Sequence, residues 1–400
     1  MSDDDQEKSD NICFYQGGDA IGGEDGLNSI KQKIAELSNI KNVSFLLGAG
    51  ASSDAIPSMK TMQEEIAKSI EEGKDSKIKT LYKSITGDNL ETKLTILHAK
   101  KNYLQGVTNA DKTEIANTEK LIKEIEDSIY LKVNVELSNS CAIKNLNLYK
   151  KFYQKIALRN KDLSRINIFT TNYDLFNEKA LDTLNINYNN GFGGGLERVF
   201  NPARFHYTFS KKIDANLEKF EPLENMVYLY KLHGSISWIE QEGNSLFNIH
   251  EVSVQGGEAK GDETHVLIYP TPLKQAQSLG TPYADLIREF QTKLSLPNSV
   301  LFIIGYSFSD EHLNSIIYQS LASNSSISVV IFGEYSDCPL AKIKDSRIYR
   351  IHGTDEENKK IHYFEYIVEE LLPSVDENID TTLLDAFVSS INALKGSSTS

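Results

Sequence analysis

The run Val43-Ser-Phe-Leu-Leu47 passes directly into Gly48-Ala-Gly-Ala-Ser52, and this junction constrains the fold more than any other part of the chain. A short apolar, β-favouring stretch stops at a glycine-spaced turn, and a segment of helical character follows from about Ser58. Strand, small-residue turn and helix in that order are how a parallel α/β sheet brings backbone N–H groups to a phosphate. Gly48 and Gly50 would let the backbone approach such a group with no Cβ in the way. Ser52 and Ser53 add hydroxyl donors, and Pro57 stiffens the exit. The residues fit an ordinary tight strand-to-helix turn as well, because Ser53 stands where the dinucleotide pattern has its third glycine.

Further strand-like runs are Ile166–Thr171, Val227–Lys231, Val266–Tyr269, Val300–Ile304, Ser328–Phe332 and Arg347–Ile351. Several end in glycine or polar residues and are followed by helical patterns. Such alternation predicts an α/β fold, a Rossmann-like doubly wound parallel sheet. Ligands of such sheets bind beyond the carboxyl ends of the strands, at a topological switch point. Leu27, Ile30, Ile34 and Leu37 fall at helical spacing, so an amphipathic helix leads into the first strand. Residues 58–160 read as almost wholly helical, most regularly over Thr113–Leu137, and are expected to be an insertion after the first βα unit. Residues 27–57 with 161–400 make up the expected α/β domain. Residues 1–26, acidic and containing Gly17, Gly18, Gly22 and Gly23, are expected to be a flexible arm, and Lys395–Ser400 a disordered tail.

Composition narrows the function. No stretch approaches the roughly 20 apolar residues that cross a bilayer. The polar start, Asp3-Asp-Asp5, is unlike a secretory leader, so a cytoplasmic protein is expected. The three cysteines, Cys13, Cys141 and Cys338, are too scattered for a zinc knuckle or a disulfide framework, and no metal is expected. A formal charge of −14 does not indicate direct nucleic-acid binding beyond a local basic patch.

Three more segments carry chemistry. Thr170-Thr171-Asn172-Tyr173-Asp174 ends a buried strand with polar groups. Asn172 or Asp174 could cap the helix starting near Leu175, although capping explains one polar residue better than five. His233 follows an apolar run and precedes Gly234 and Ser235, where an imidazole can face a pocket and act as a general base. Gly305-Tyr306-Ser307 follows another apolar run. Beyond it Ser309 reads as an N-cap, and Asp310 and Glu311 as acids suited to a helix dipole.

Together GAGAS, TTNYD, KLHGS and GYSFSD, in this order, resemble the motifs of the sirtuin superfamily, over roughly 40–57 and 161–352. Tyr269-Pro-Thr-Pro-Leu-Lys274 is similar to a connecting segment of its bacterial branch. The protein-deacylating members carry a four-cysteine zinc module and a Pro-Asp-Phe-Arg type segment, where this chain has no such cysteines and Pro57-Ser-Met-Lys60. The pattern is more similar to the bacterial sirtuin-like NAD hydrolases of anti-phage defence. The resemblance implies Asn172 and His233 as catalytic residues. It implies NAD contacts from Gly48, Ala49, Gly50, Ala51, Ser52, Pro57, Thr171, Asp174, Gly305, Tyr306, Ser307 and Gly333. It further implies an NADase giving nicotinamide and linear or cyclic ADP-ribose, a homo-oligomer, and a HerA-type ATPase or helicase partner. A protein deacylase and a non-catalytic NAD or ADP-ribose sensor are the alternatives.

Overall fold

A computed structural model describes residues 11–373 except 24, 88, 158, 161, 215–217, 242–247, 259–263, 268–281 and 336–337. The main sheet contains β1 (Asn11–Gln16), β2 (Asp19–Ala20), β3 (Asn42–Leu47), β4 (Ile166–Thr170) and β5 (Asn187–Asn189). It is completed by β6 (Met226–Lys231), β7 (Ser299–Ile304), β8 (Ile327–Phe332) and β9 (Ile348–Thr354). Their spatial order is β2-β1-β9-β8-β7-β3-β4-β6-β5. All pairings from β9 to β5 are parallel. From β3 the chain builds outward through β4 to β6, then returns to the other side of β3 for β7, β8 and β9. The order therefore reverses between β3 and β7, where a doubly wound sheet opens its ligand crevice.

β3, β4 and β7 are buried along their whole length, which is why they read as unbroken apolar runs and not as alternating ones. On one face α1 (Gly26–Ser38) packs Ile30 and Ile34 into the core that contains Phe45 and Phe302. Between β3 and β4 come α2 (Met59–Glu72), α3 (Ser76–Ser84), α4 (Leu90–Gly106), α5 (Lys112–Val133) and α6 (Ser140–Ile156). Ser58, Asp75, Asn89, Asp111 and Asn139 each accept a backbone N–H at the start of these helices, which sets their boundaries. α2 to α5 enclose a core of their own, with Met62, Ile66, Leu94, Leu97 and Ile125. α6 belongs to the sheet instead: Phe152 meets Phe45 edge-on at 5.2 Å. It packs beside α7 (Phe176–Thr183). The opposite face of the sheet is covered by α8 (Tyr283–Leu294) and α9 (Glu311–Ser323), through Leu286, Phe290, Leu313 and Ile317.

Three expectations need correction. Residues 11–20 are not part of a flexible arm: β1 pairs antiparallel with β9 and turns Phe14 into the core. Asp310, not Ser309, is the N-cap of α9, its Oδ1 accepting from His312 and Leu313 N–H. The run at Val266 does not join the parallel sheet. Thr264–Leu267 pairs with Gly234–Glu240 in a separate five-stranded antiparallel sheet with Ile249–Glu251, Arg198–Phe200 and Phe192–Gly193. That sheet packs around Trp238, Phe192 and Phe200. Tyr269–Lys274 and Lys395–Ser400 lie outside the described residues.

Candidate active site

The turns after β3 and β7 interlock. Gly48 N–H donates to Ile304 O and Gly50 N–H to Gly305 O, each at 2.9 Å. A Cβ on Gly48 would lie 2.4 Å from Gly305 O, and Gly305 itself holds φ +64°. The glycines thus serve first the approach of two backbones. This corrects the expected cradle: the N–H groups of Gly48, Gly50 and Ala51 are taken by Ile304, Gly305 and Gly48 carbonyls. Ala49 opens the short helical turn Ala49–Ser52, where the leading N–H groups have no carbonyl within the turn. Ser52 does not offer its hydroxyl to a ligand. The hydroxyl donates to Asp174 Oδ2 at 2.9 Å and sits 3.0 Å from Tyr149 OH.

The turn after β4 is fastened to that of β3. Thr170 Oγ1 donates to Leu47 O at 2.9 Å and accepts Asn172 N–H at 3.0 Å. Asn172 Nδ2 donates to Gly48 O at 3.0 Å and to Ser52 Oγ at 3.3 Å. Both side-chain bonds use the amide nitrogen, and the residue itself lines a cavity at the strand ends. Leu175 is the N-cap of α7 and Asp174, one residue ahead of it, accepts Phe176 N–H at 3.1 Å. Asp174 is fully enclosed, and burial pushes its carboxyl up, opposed by the charge of Lys231. Lys231, at the end of β6, is equally enclosed. Its ammonium pairs with Glu178 at 3.0 Å and donates to the Tyr173 and Asp174 carbonyls. Burial likewise raises the Glu178 carboxyl. Lys231 therefore ties the loop bearing Asn172 to the strand that delivers His233.

His233 stands at the corner where the chain leaves the parallel sheet for the antiparallel one. Gly234 makes that corner with φ +86°, a conformation costly to side-chain-bearing residues. His233 is buried, and its Nε2 lies 3.0 Å from Asp310 Oδ2. The Tyr173 and His233 ring centroids are 6.5 Å apart. Tyr306 braces the same helix start, donating from its hydroxyl to Asp310 O at 3.2 Å; burial raises that hydroxyl's pKa.

These parts meet around one cavity of about 360 Å³ at the carboxyl ends of β3, β4, β6 and β7. Of the expected site residues, Ala49, Gly50, Ser52, Pro57, Thr171, Asn172, Asp174, His233, Gly305, Tyr306 and Ser307 line it. Gly48 and Ala51 lie behind the lining. Gly333, at the end of β8, is outside it and packs against Tyr335. Sequence reasoning missed two contributors. Asp310 reads locally as a helix cap, and nothing nearby signals an imidazole 77 positions upstream. Met59 and Met62 of α2 and Ile129 and Val133 of α5 form an apolar wall from the helical block, which looks in sequence like ordinary amphipathic packing. A pocket with one apolar wall and a few converging polar groups suits a small organic ligand. Among the described residues no cluster of metal-ligating side chains occurs, and no helix is long and apolar enough to cross a membrane.

Comparison with known proteins agrees with the motif pattern. Residues 166–337 match the family model described as SIR2-like domain, which points to NAD-dependent enzymatic chemistry. No curated protein matches the chain. Among solved structures it is similar to one titled "The Structural basis of Sirtuin Substrate Affinity", with 15% identity and a TM-score of 0.33. That likeness covers 85% of this chain and 98% of the other, and it is too distant to add to the argument from strand order.

Proposed function

We propose that this chain, whose residues 166–337 match the SIR2-like domain, hydrolyses NAD at the nicotinamide–ribose bond. One observation supports the reading above others: Asn172, His233 and the interlocked turns of β3 and β7 line a single cavity at the switch point of the sheet. A pure binding site would need neither an oriented amide nor a base.

In this reading the dinucleotide lies along the strand ends, its pyrophosphate at Ala49, which opens the turn Ala49–Ser52, and its adenosine ribose by Gly305 and Ser307. The bond from ribose C1′ to the nicotinamide nitrogen breaks, and its electron pair leaves with neutral nicotinamide. Asn172 Oδ1 orients the ribose and the attacking water. Water oxygen bonds to C1′, and His233 takes the proton released, giving ADP-ribose. The chain carries Pro57-Ser-Met-Lys60 where the deacylating members have a Pro-Asp-Phe-Arg type segment, and Met59, Met62, Ile129 and Val133 of α2 and α5 add an apolar wall to the cavity.

Uncontrolled cleavage would drain the host of NAD, so the proposal includes control by assembly. The chain acts as the NAD-depleting effector of a bacterial anti-phage system, as a homo-oligomer with a HerA-type ATPase, through the helical insertion 58–160, the N-terminal residues 1–26, or both. These assignments rest on the motif resemblance. The test is nicotinamide release from NAD by purified protein, with and without such an ATPase and with and without an acyl-lysine peptide. Release without peptide is expected, reduced at least about 100-fold in Asn172→Ala and His233→Ala. Release only with peptide would replace the reading with a deacylase, and binding without turnover in either setting with a sensor.

A further inference from the structure

We infer that Asp310 is the positioning residue of His233: it fixes which ring nitrogen carries the proton and holds the imidazole toward the cavity. The inference deepens the proposed NAD cleavage and rests on it for the readout of rate, though not for that of protonation.

The geometry divides the carboxylate between two tasks. Oδ1 accepts the His312 and Leu313 N–H groups at 3.0 and 3.2 Å, which locks the side chain against the start of α9. Oδ2 is thereby aimed away from the helix, and it lies 3.0 Å from His233 Nε2. Both side chains are nearly enclosed, His233 10% and Asp310 9% exposed. A cap alone needs one oxygen, and serine or asparagine supplies it as well. The second oxygen is what capping leaves unexplained. A carboxylate can only accept, so at neutral imidazole the proton sits on Nε2 and Nδ1 is the basic nitrogen. The carboxylate also favours the imidazolium that forms when the base takes its proton.

The site restrains Asp310 from behind as well. Tyr306 OH donates to the Asp310 carbonyl and to Asn314 Oδ1, at 3.2 and 3.1 Å. The position of the carboxylate thus follows from the turn after β7, the same turn that packs on Gly48 and Gly50. Among the described residues lining the cavity, the titratable side chains besides His233 are Asp310, Asp174, Tyr173 and Tyr306. Asp174 is held by Ser52 Oγ and Phe176 N–H, with burial raising its carboxyl against the charge of Lys231, and burial raises the Tyr306 hydroxyl. Asp310 is the carboxylate whose oxygen contacts the ring.

Asp310→Asn separates the two tasks. Its amide oxygen keeps the cap, while its NH₂ group now faces Nε2 and can only donate, which moves the ring proton to Nδ1. Thermal unfolding of Asp310→Asn should match the wild type. Histidine-selective nitrogen NMR, with the His233 signal assigned from His233→Gln, should show the tautomer reversed and the imidazole titration moved to lower pH. Nicotinamide release should fall at least about tenfold in kcat with KM little changed. The acid limb of its pH–rate profile should shift downward. Asp310→Ser, which caps but is too short to reach the ring, should fold normally and be slow. An unchanged His233 tautomer and titration in a folded Asp310→Asn protein would overturn the inference, whatever the rates. Should the wild type release no nicotinamide, NAD cleavage fails as the reading, and the NMR comparison still decides the role of Asp310.

Discussion

At the scale of single residues, steric space decides more than conformational preference. Gly48 has an extended backbone that any residue can adopt, with φ −99°. Its side of the chain is nonetheless closed, because an added Cβ would meet Gly305 O at 2.4 Å and Tyr306 Cα at 2.5 Å. Both obstacles are backbone, and moving them breaks the β3–β7 register. Gly48→Ala is therefore expected to lower unfolding free energy by about 3 kcal/mol, the upper range for overpacking, and to weaken NAD binding. Urea unfolding checks the first part, with Gly106→Ala as control: its Cβ meets nothing within 4 Å. A Gly48→Ala midpoint equal to that of the control would remove the steric argument. This residue also shows what the sequence could and could not tell. That Gly48 and Gly50 are required was legible from the strand–turn–helix pattern. That they are required by Gly305, more than 250 positions away, was not, because close backbone approach leaves no trace in local spacing. Asn172 and His233 were legible for the opposite reason: each ends a buried strand, so its local context already implies a pocket. Asp310 was hidden by its success as a helix cap.

At the scale of elements, periodicity found the helices and the buried parallel strands, while pairing between distant segments stayed invisible. β1 is six residues between acidic and glycine-rich stretches, and pairing along its whole length with the distant β9 makes it a strand. The antiparallel sheet consists mostly of pieces of two to four residues around one longer strand, below what alternation can detect. The helical block raises a different point. Expected from sequence as an insertion after the first βα unit, it also reaches the site, where α2 and α5 supply Met59, Met62, Ile129 and Val133 to the cavity wall. Met59 is half-exposed at the first turn of α2, so truncating it costs little fold stability. Met59→Ala should raise KM for NAD several-fold while kcat stays within about twofold, since the lost contact is apolar and brings no acid, base or hydrogen-bonding group to the site. Steady-state nicotinamide release measures both constants. A fall in kcat at constant KM would place the helical block in the chemistry and not in binding.

At the scale of the whole molecule, the folded chain encloses carboxylates that water would otherwise solvate, and pH acts on the entire fold through them. Glu251, on the strand Ile249–Glu251, is the clearest case. Burial pushes its carboxyl up to about 7 from an ordinary 4.5, against the opposing pull of Arg198 and Lys231 and the Asn190 hydrogen bond at 2.8 Å. Between those two pH values the folded protein holds a proton that the unfolded chain has released. Stability from this group is therefore complete below about pH 4.5 and lost as pH rises through 7. His352 and His362 act in the opposite sense, because burial lowers both, and their contribution is lost as pH falls. The wild-type curve mixes these signs, so the informative quantity is the difference between wild type and Glu251→Gln. Glutamine keeps the size and a hydrogen-bonding amide for Asn190 and Arg198 but cannot ionise. Urea unfolding across pH 4 to 8 should show the variant gaining on the wild type as pH rises. The gain should be on the order of 3 kcal/mol across the window, and flat below it. A constant difference at all pH values would mean that Arg198 neutralises Glu251 so fully that the carboxylate stays ionised in the fold. The buried acids would then cost the molecule nothing at neutral pH, and the enclosed charge of Asp174, Glu178 and Lys231 behind the site would have to be read as fully compensated too.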